Sequence, residues 1–166
     1  MFHIGDLVVY SAHGVCQIDE IGEKAYFGAP REYYTLHPLE NNKLTISVPV
    51  DHEEGAILRI IDRNKAEEIL HSFTLPGMEW IEKGHDRARI YSTIVKTGNR
   101  NDIAKIVNTL MRKKDEAERD EKKLGEFERQ LLHSVQKTLF TEIAISLQTT
   151  YDAIYDEAAR LVKLNH

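Results

Sequence analysis

Eight histidines, one cysteine and 27 carboxylates are the groups available for acid–base, nucleophilic or metal chemistry. The histidines (His3, His13, His37, His52, His71, His85, His133 and His166) are scattered. None pair four apart on a helix, whereas a metal site needs converging ligands. They read as surface or turn residues. Cys16 falls in an expected strand and reads as a small buried hydrophobe rather than a nucleophile. No carboxylate pair stands apart from a solvated face. GxxxxGK, GxGxxG after a strand, HExxH, CxxC and GxSxG are all missing. The expectation is a protein that is not an enzyme, with no catalytic residue, metal, cofactor or small-molecule substrate.

Charge offers a second kind of chemistry. The net charge of −5 argues against nucleic acid, but its distribution is uneven. Residues 1–70 hold 12 acidic and 6 basic side chains, residues 71–140 hold 11 and 14, and residues 141–166 hold 4 and 2. The first stretch repels phosphate, and only the middle one attracts it.

The elements that must position these charges divide the chain in two. Val8-Val9-Tyr10, Val15 to Ile21, Glu32 to Leu36 and Leu44 to Val48 read as short strands between the turns His13-Gly14, Gly28-Ala29-Pro30 and Asn41-Asn42. Leu44, Ile46 and Val48 alternate onto one face, and Pro49 ends the run. Four or five short strands in this length predict a small, strongly bent barrel. From Asp62 the period becomes helical. A short helix over 64–73 stops near Pro76-Gly77, and another over 87–97 stops at Gly98. Asn101 or Asp102 is the candidate N-cap for a stripe of Ile103, Ile106, Val107, Leu110 and Met111. A charged stretch, Arg112 to Lys123, follows. Leu124, Phe127, Leu131, Val135, Leu139 and Ile143 form the next stripe. Thr149 or Thr150 caps a last helix with Ile154, Ala158, Leu161 and Val162 inside. The fold class is α+β: a β domain over 1–55, a linker with a short helix over 56–76 and an all-α helical-bundle domain over 77–166.

Hydrophobic residues at 42% suffice for a core, and the longest apolar runs fall far short of the roughly 18 residues of a membrane span. No leader pattern opens the chain, and the single cysteine has no internal partner. A soluble protein of the reducing cytoplasm, with no membrane partner, is expected.

Gly5-Asp6-Leu7-Val8-Val9-Tyr10-Ser11-Ala12-His13-Gly14 resembles the opening of the CarD family of bacterial RNA polymerase-binding transcription regulators, a GD-x-VVY-x-x-HG pattern. Leu44 to Pro49 is similar to that family's later strand ending in Val-Pro. Trp80, the Arg-rich helix ending in Gly98, the stripe Ile103 to Met111 followed by Arg112-Lys113-Lys114, and Leu124 to Leu132 come in family order. The resemblance implies a Tudor-like first domain that docks on the RNA polymerase β subunit. It implies a helical second domain that meets promoter DNA at the upstream edge of the bubble, with a tryptophan as minor-groove wedge. Residue by residue, the implied polymerase contacts are Lys24, Tyr26 and Ser47. The implied DNA contacts are Trp80, Lys83, Arg87 and Arg89.

The chain departs from the family pattern in three places. Ser11 stands where many members have proline. Ser47 replaces a basic residue, with Arg31 and Lys43 as basic neighbours that would substitute. Counted back from Gly98, the wedge position falls near Gly84, about one turn after Trp80. Either residues 81–84 loop out and leave Trp80 at the tip, or Trp80 is a buried anchor at the helix start. Lys83 and Arg87 share a face if the helix runs through Gly84. With few basic side chains on an acidic chain, DNA binding alone is expected to be weak. Docking on polymerase raises the effective concentration to about mM. The alternatives are a polymerase-binding adaptor without DNA contact, a small enzyme with an inter-domain site, and a Tudor-type reader using Tyr26, Phe27, Tyr33 and Tyr34 as an aromatic cage.

Overall fold

The structure, a computed structural model, describes residues 1–10, 13–51 and 57–164. Ser11, Ala12, His52 and His166, named above, lie outside the described residues. The chain divides into two units, Met1–Ile60 and Ile61–His166.

The first unit is one antiparallel sheet of five strands: β1 (Leu7–Tyr10), β2 (Gly14–Lys24), β3 (Arg31–Pro38), β4 (Ile46–Pro49) and β5 (Ile57–Arg59), in the order β4-β3-β2-β1-β5. Val8, Cys16, Ile18, Tyr34, Leu36 and Val48 form its core. Along β2 the inward residues run Cys16, Ile18 and then Ile21, so the alternation slips by one. The cause is a bulge: Ile18 faces Leu36 and Glu20 faces Thr35, which leaves Asp19 as the extra residue. The slip carries Ile21 against the core instead of Glu20, and it bends the strand. Asp19 turns outward and its Oδ2 lies 2.7 Å from His37 Nδ1. Ile46 and Val48 face Leu36 and Tyr34 as expected, but Leu44 precedes β4 and is exposed.

The second unit holds α1 (Arg63–His71), a 3-10 turn (Ser72–Thr74), α2 (Gly84–Lys96), α3 (Arg100–Arg119), α4 (Glu126–Leu147) and α5 (Tyr151–Leu164). The fold class is α+β. The stretch expected as a linker is not one throughout, because Ala66, Ile69 and Phe73 are buried in the helical core. Asp62 caps α1, accepting from the Lys65 amide at 2.8 Å. Asn99, rather than Asn101 or Asp102, caps α3 by accepting from the Asp102 amide at 3.1 Å. Thr150 caps α5 through the Ala153 amide. The α3 stripe is buried at Ile106, Val107, Leu110 and Met111, and all four residues expected inside α5 are buried. On α4 the stripe differs. Phe127 is exposed, and Glu128 and Glu142 take core-facing positions beside Leu132, Val135 and Leu139. Two heptads separate these glutamates, which puts them on one face. Among the described residues, no helix is long and apolar enough to cross a membrane.

Candidate nucleic-acid interface

Residues 75–83 join the 3-10 turn to α2 and carry Trp80 across the surface of α3. Gly77 makes the close approach possible. A Cβ there would overlap Thr109 Oγ1 and lie 2.9 Å from both the Lys105 carbonyl oxygen and the Thr109 amide nitrogen. The loop's polar backbone is then satisfied from the helices. The buried Asn108 Nδ2 donates to the Leu75 carbonyl at 2.9 Å, and the buried Thr109 Oγ1 donates to the Met78 carbonyl at 2.6 Å. The Met78 amide donates to the Lys105 carbonyl at 3.1 Å. Tyr91, fully buried on α2, donates to the Glu79 carbonyl at 2.8 Å. Burial raises the Tyr91 pKa above its ordinary value, so the hydroxyl keeps its proton and the bond persists. Arg112 donates to Asn108 Oδ1 at 2.6 Å, which orients that amide. Loops are ordinarily the mobile parts of a fold, but this one is fastened along its length.

Trp80 is half-buried and packs against the helical core. Two cations approach its ring, with Arg87 Cζ 4.0 Å and Lys113 Nζ 4.9 Å from the centroid. Each such contact is worth about 0.5–2 kcal/mol, depending on desolvation. Lys113, from the charged stretch of α3, was not among the expected DNA contacts. Its place beside Trp80 comes from packing between distant segments.

Arg87 is placed differently from expectation. Its Nε and Nη2 donate to Glu128 Oε1 at 2.9 and 2.6 Å, and its Nη1 donates to the Ile81 and Glu82 carbonyls at 2.6 and 3.3 Å. The Arg87 side chain is 12% exposed and that of Glu128 7%. A guanidinium with its donors so engaged holds the loop and is not a free phosphate ligand. The expected common face of Lys83 and Arg87 is also altered: α2 begins at Gly84 and Lys83 is its N-cap, outside the helix. Lys83 is exposed and has no ion-pair partner among the described residues. Arg89 is exposed and 3.8 Å from Asp86, a weak surface pair.

The other expected set lies at one end of the sheet. Tyr26 Oη and Ser47 Oγ are 3.3 Å apart. Tyr26 stands edge-on to the buried Tyr33, with centroids 5.1 Å apart. Lys24 Nζ lies 3.5 Å from Glu20. Phe27, at the β2–β3 turn, is 89% exposed. Arg31, one of the two basic neighbours, pairs with Asp51 at 2.7 Å, while Lys43 is exposed. Tyr33 and Tyr34 leave the strand on opposite faces, and both are buried, so the four aromatics do not form an open cage. Cys16 is buried and its thiol is pushed up to about 11, away from the thiolate form a nucleophile needs. Among the described residues, no three His, Cys, Asp or Glu side chains converge to hold a metal.

Residues 2–61 match the family described as CarD-like/TRCF RID domain, and residues 68–159 match that described as CarD, C-terminal domain. The chain belongs to the CarD family. It is also similar to "Putative transcription factor YdeB" of Bacillus subtilis (strain 168), 28% identical over 146 residues, covering 87% of this chain and 92% of that protein. CarD-family proteins are transcription regulators, and this one is a regulator and not an enzyme. Its sheet unit is of the RNA polymerase-interacting class. The CarD-type helical unit as bounded here, Ile61–His166, carries 18 acidic and 18 basic residues, so it is neutral as a whole. Two of its basic side chains, Arg87 and Lys113, gather at Trp80.

Proposed function

We propose that this CarD-family regulator docks on the RNA polymerase β subunit through the end of the sheet that carries Lys24, Tyr26 and Ser47. We propose that it acts on promoter opening through Trp80, with Lys83, Lys113 and Arg89 as phosphate contacts. The observation that carries the second part is a tryptophan held on a fastened loop with two cations against its ring. A ring that unstacks a base step acts against a cost of a few kcal/mol, and a loop that yields would lose that work to its own movement. A neutral helical unit binds duplex weakly by itself, so address comes from the polymerase and action from the loop. Opening is favoured only if the junction is bound better than the closed duplex.

The test is Trp80→Ala in the full chain. It shortens open-complex lifetime and leaves polymerase affinity unchanged. Tight binding of the wild-type chain to naked promoter duplex at physiological salt would sink the mechanism.

One observation favours the adaptor reading, in which the helical unit meets protein instead of DNA. Of the four side chains expected to contact DNA, Arg87 is engaged internally and Arg89 lies beside Asp86. If polymerase-bound wild type fails to protect or retain fork-junction DNA at low salt, the adaptor reading replaces the DNA one.

A further inference from the structure

We propose that Glu128, on a helix that supplies none of the expected DNA contacts, is the positioning residue for Trp80. The chain of contacts is short. Glu128 Oε1 takes two donors from Arg87, the Arg87 guanidinium lies over the Trp80 ring, and its remaining arm fastens the Ile81 and Glu82 carbonyls just after that ring. Without the carboxylate the guanidinium is held only at Nη1, by the Ile81 and Glu82 carbonyls, and its plane is free to swing off the indole. The ring then keeps only Lys113, a point charge on a flexible stem.

The carboxylate is itself fixed. Glu128 is 5% exposed, in the first turn of α4, where the unpaired amides and the helix dipole favour a negative charge. Gly125, the N-cap, leaves room for it: a Cβ there would overlap Glu128 Oε2. The buried pair thus has a fixed end on α4 and a working end on Trp80. Its function in promoter opening rests on the reading of Trp80 given above.

The experiment uses the full chain, in which Trp80 is the single tryptophan and reports its own surroundings by fluorescence. Glu128→Gln is compared with Glu142→Gln, which disrupts the other buried Arg–Glu pair. That pair begins at Arg100, about 20 Å along α3 from Lys113 at 1.5 Å per residue. In E128Q the acrylamide quenching of Trp80 rises by about twofold or more as the loop is released, whereas E142Q leaves it near wild type. Gly125→Ala keeps every charge and displaces the carboxylate, so it moves quenching the same way and carries the test if E128Q does not fold. With polymerase on fork-junction DNA, E128Q shortens open-complex lifetime by about two- to thirtyfold, the span of a cation–π contact.

Equal quenching changes in E128Q and E142Q, or none in E128Q and G125A, would overturn the proposal. So would an unchanged lifetime in E128Q where Trp80→Ala shortens it. An unchanged lifetime in Trp80→Ala instead removes the DNA reading, and a quenching difference between E128Q and E142Q then still supports the positioning role.

Discussion

Arg100 and Glu142 meet as a buried, two-pronged ion pair, Nε to Oε1 at 3.1 Å and Nη2 to Oε2 at 2.8 Å. The same Oε2 accepts the Ile61 amide at 3.1 Å, so one carboxylate joins the start of α3, the last third of α4 and the residue that opens the helical unit. Glu142 is 1% exposed. Glu142→Ala leaves a mostly buried guanidinium and a partly buried amide without that partner, and we expect a loss of about 3–5 kcal/mol by urea unfolding. The double change Arg100→Leu with Glu142→Leu should recover much of it, because a buried apolar pair carries no uncompensated charge. Equal losses in the two variants would contradict this.

Gly77→Ala forces the loop off α3, because the added Cβ meets backbone that cannot rotate away. The expected cost is about 1–3 kcal/mol, as for overpacking. The Met78 amide, bonded to the Lys105 carbonyl, should exchange faster with solvent. A melting temperature and a Met78 exchange rate both equal to wild type would show that the loop has slack.

Phe27→Ala should change stability by no more than about 0.5 kcal/mol, since the ring is almost wholly exposed. If the sheet end docks on polymerase, the same change costs roughly tenfold in affinity, as aromatic anchors at interface centres do. Both numbers come from one protein preparation, by thermal melting and by titration against the β subunit.

Ser47→Arg restores a cation at a position the CarD pattern makes basic, at the expense of the hydrogen bond to Tyr26. Polymerase affinity should rise at low salt and the gain should fade as salt increases. An affinity independent of salt would place the docking surface elsewhere.

Cys16 has its folded pKa raised from 9.0 to about 11 by burial. A raised folded value means the neutral thiol's contribution is complete below pH 9 and lost as pH climbs toward 11. The unfolded chain releases its proton first, so stability falls through that window by up to about 2–3 kcal/mol from this group. Cys16→Val lacks that portion of the slope. Comparing the two proteins by urea unfolding at pH 8 and pH 10.5 isolates it from the other groups that titrate there.

The sheet and the helices were legible because their apolar periods are strong. Ile106, Val107, Leu110 and Met111 and the four inner residues of α5 are buried as their spacing requires. The CarD-family motifs were legible for the same reason, being contiguous. The α4 stripe was misread at its start because Phe127 is the more apolar residue, while the inner position belongs to Glu128, whose partner lies 41 residues earlier. A glutamate at two positions of one heptad phase was the available signal, since a buried carboxylate implies a buried cation. Lys113 beside Trp80 had no local signal at all. The engagement of Arg87 with Glu128 and the loop carbonyls had no signal either, because sequence spacing shows which face a side chain occupies and not what its donors hold.

The extra residue at Asp19 has a consequence for the far end of its hairpin. Beyond it, each β2 side chain leaves the strand on the side opposite to the one an unbroken alternation would give. The same residues paired without the bulge would turn the strand over beyond Ile18, aim Glu20 into the core and send Lys24 to the other side of the sheet. Deleting Asp19 would instead run Ile18, Glu20 and Ile21 in plain alternation and leave Ile21 inward. The side on which Lys24 leaves β2 is thus set by two residues of one strand sharing a single partner on the next.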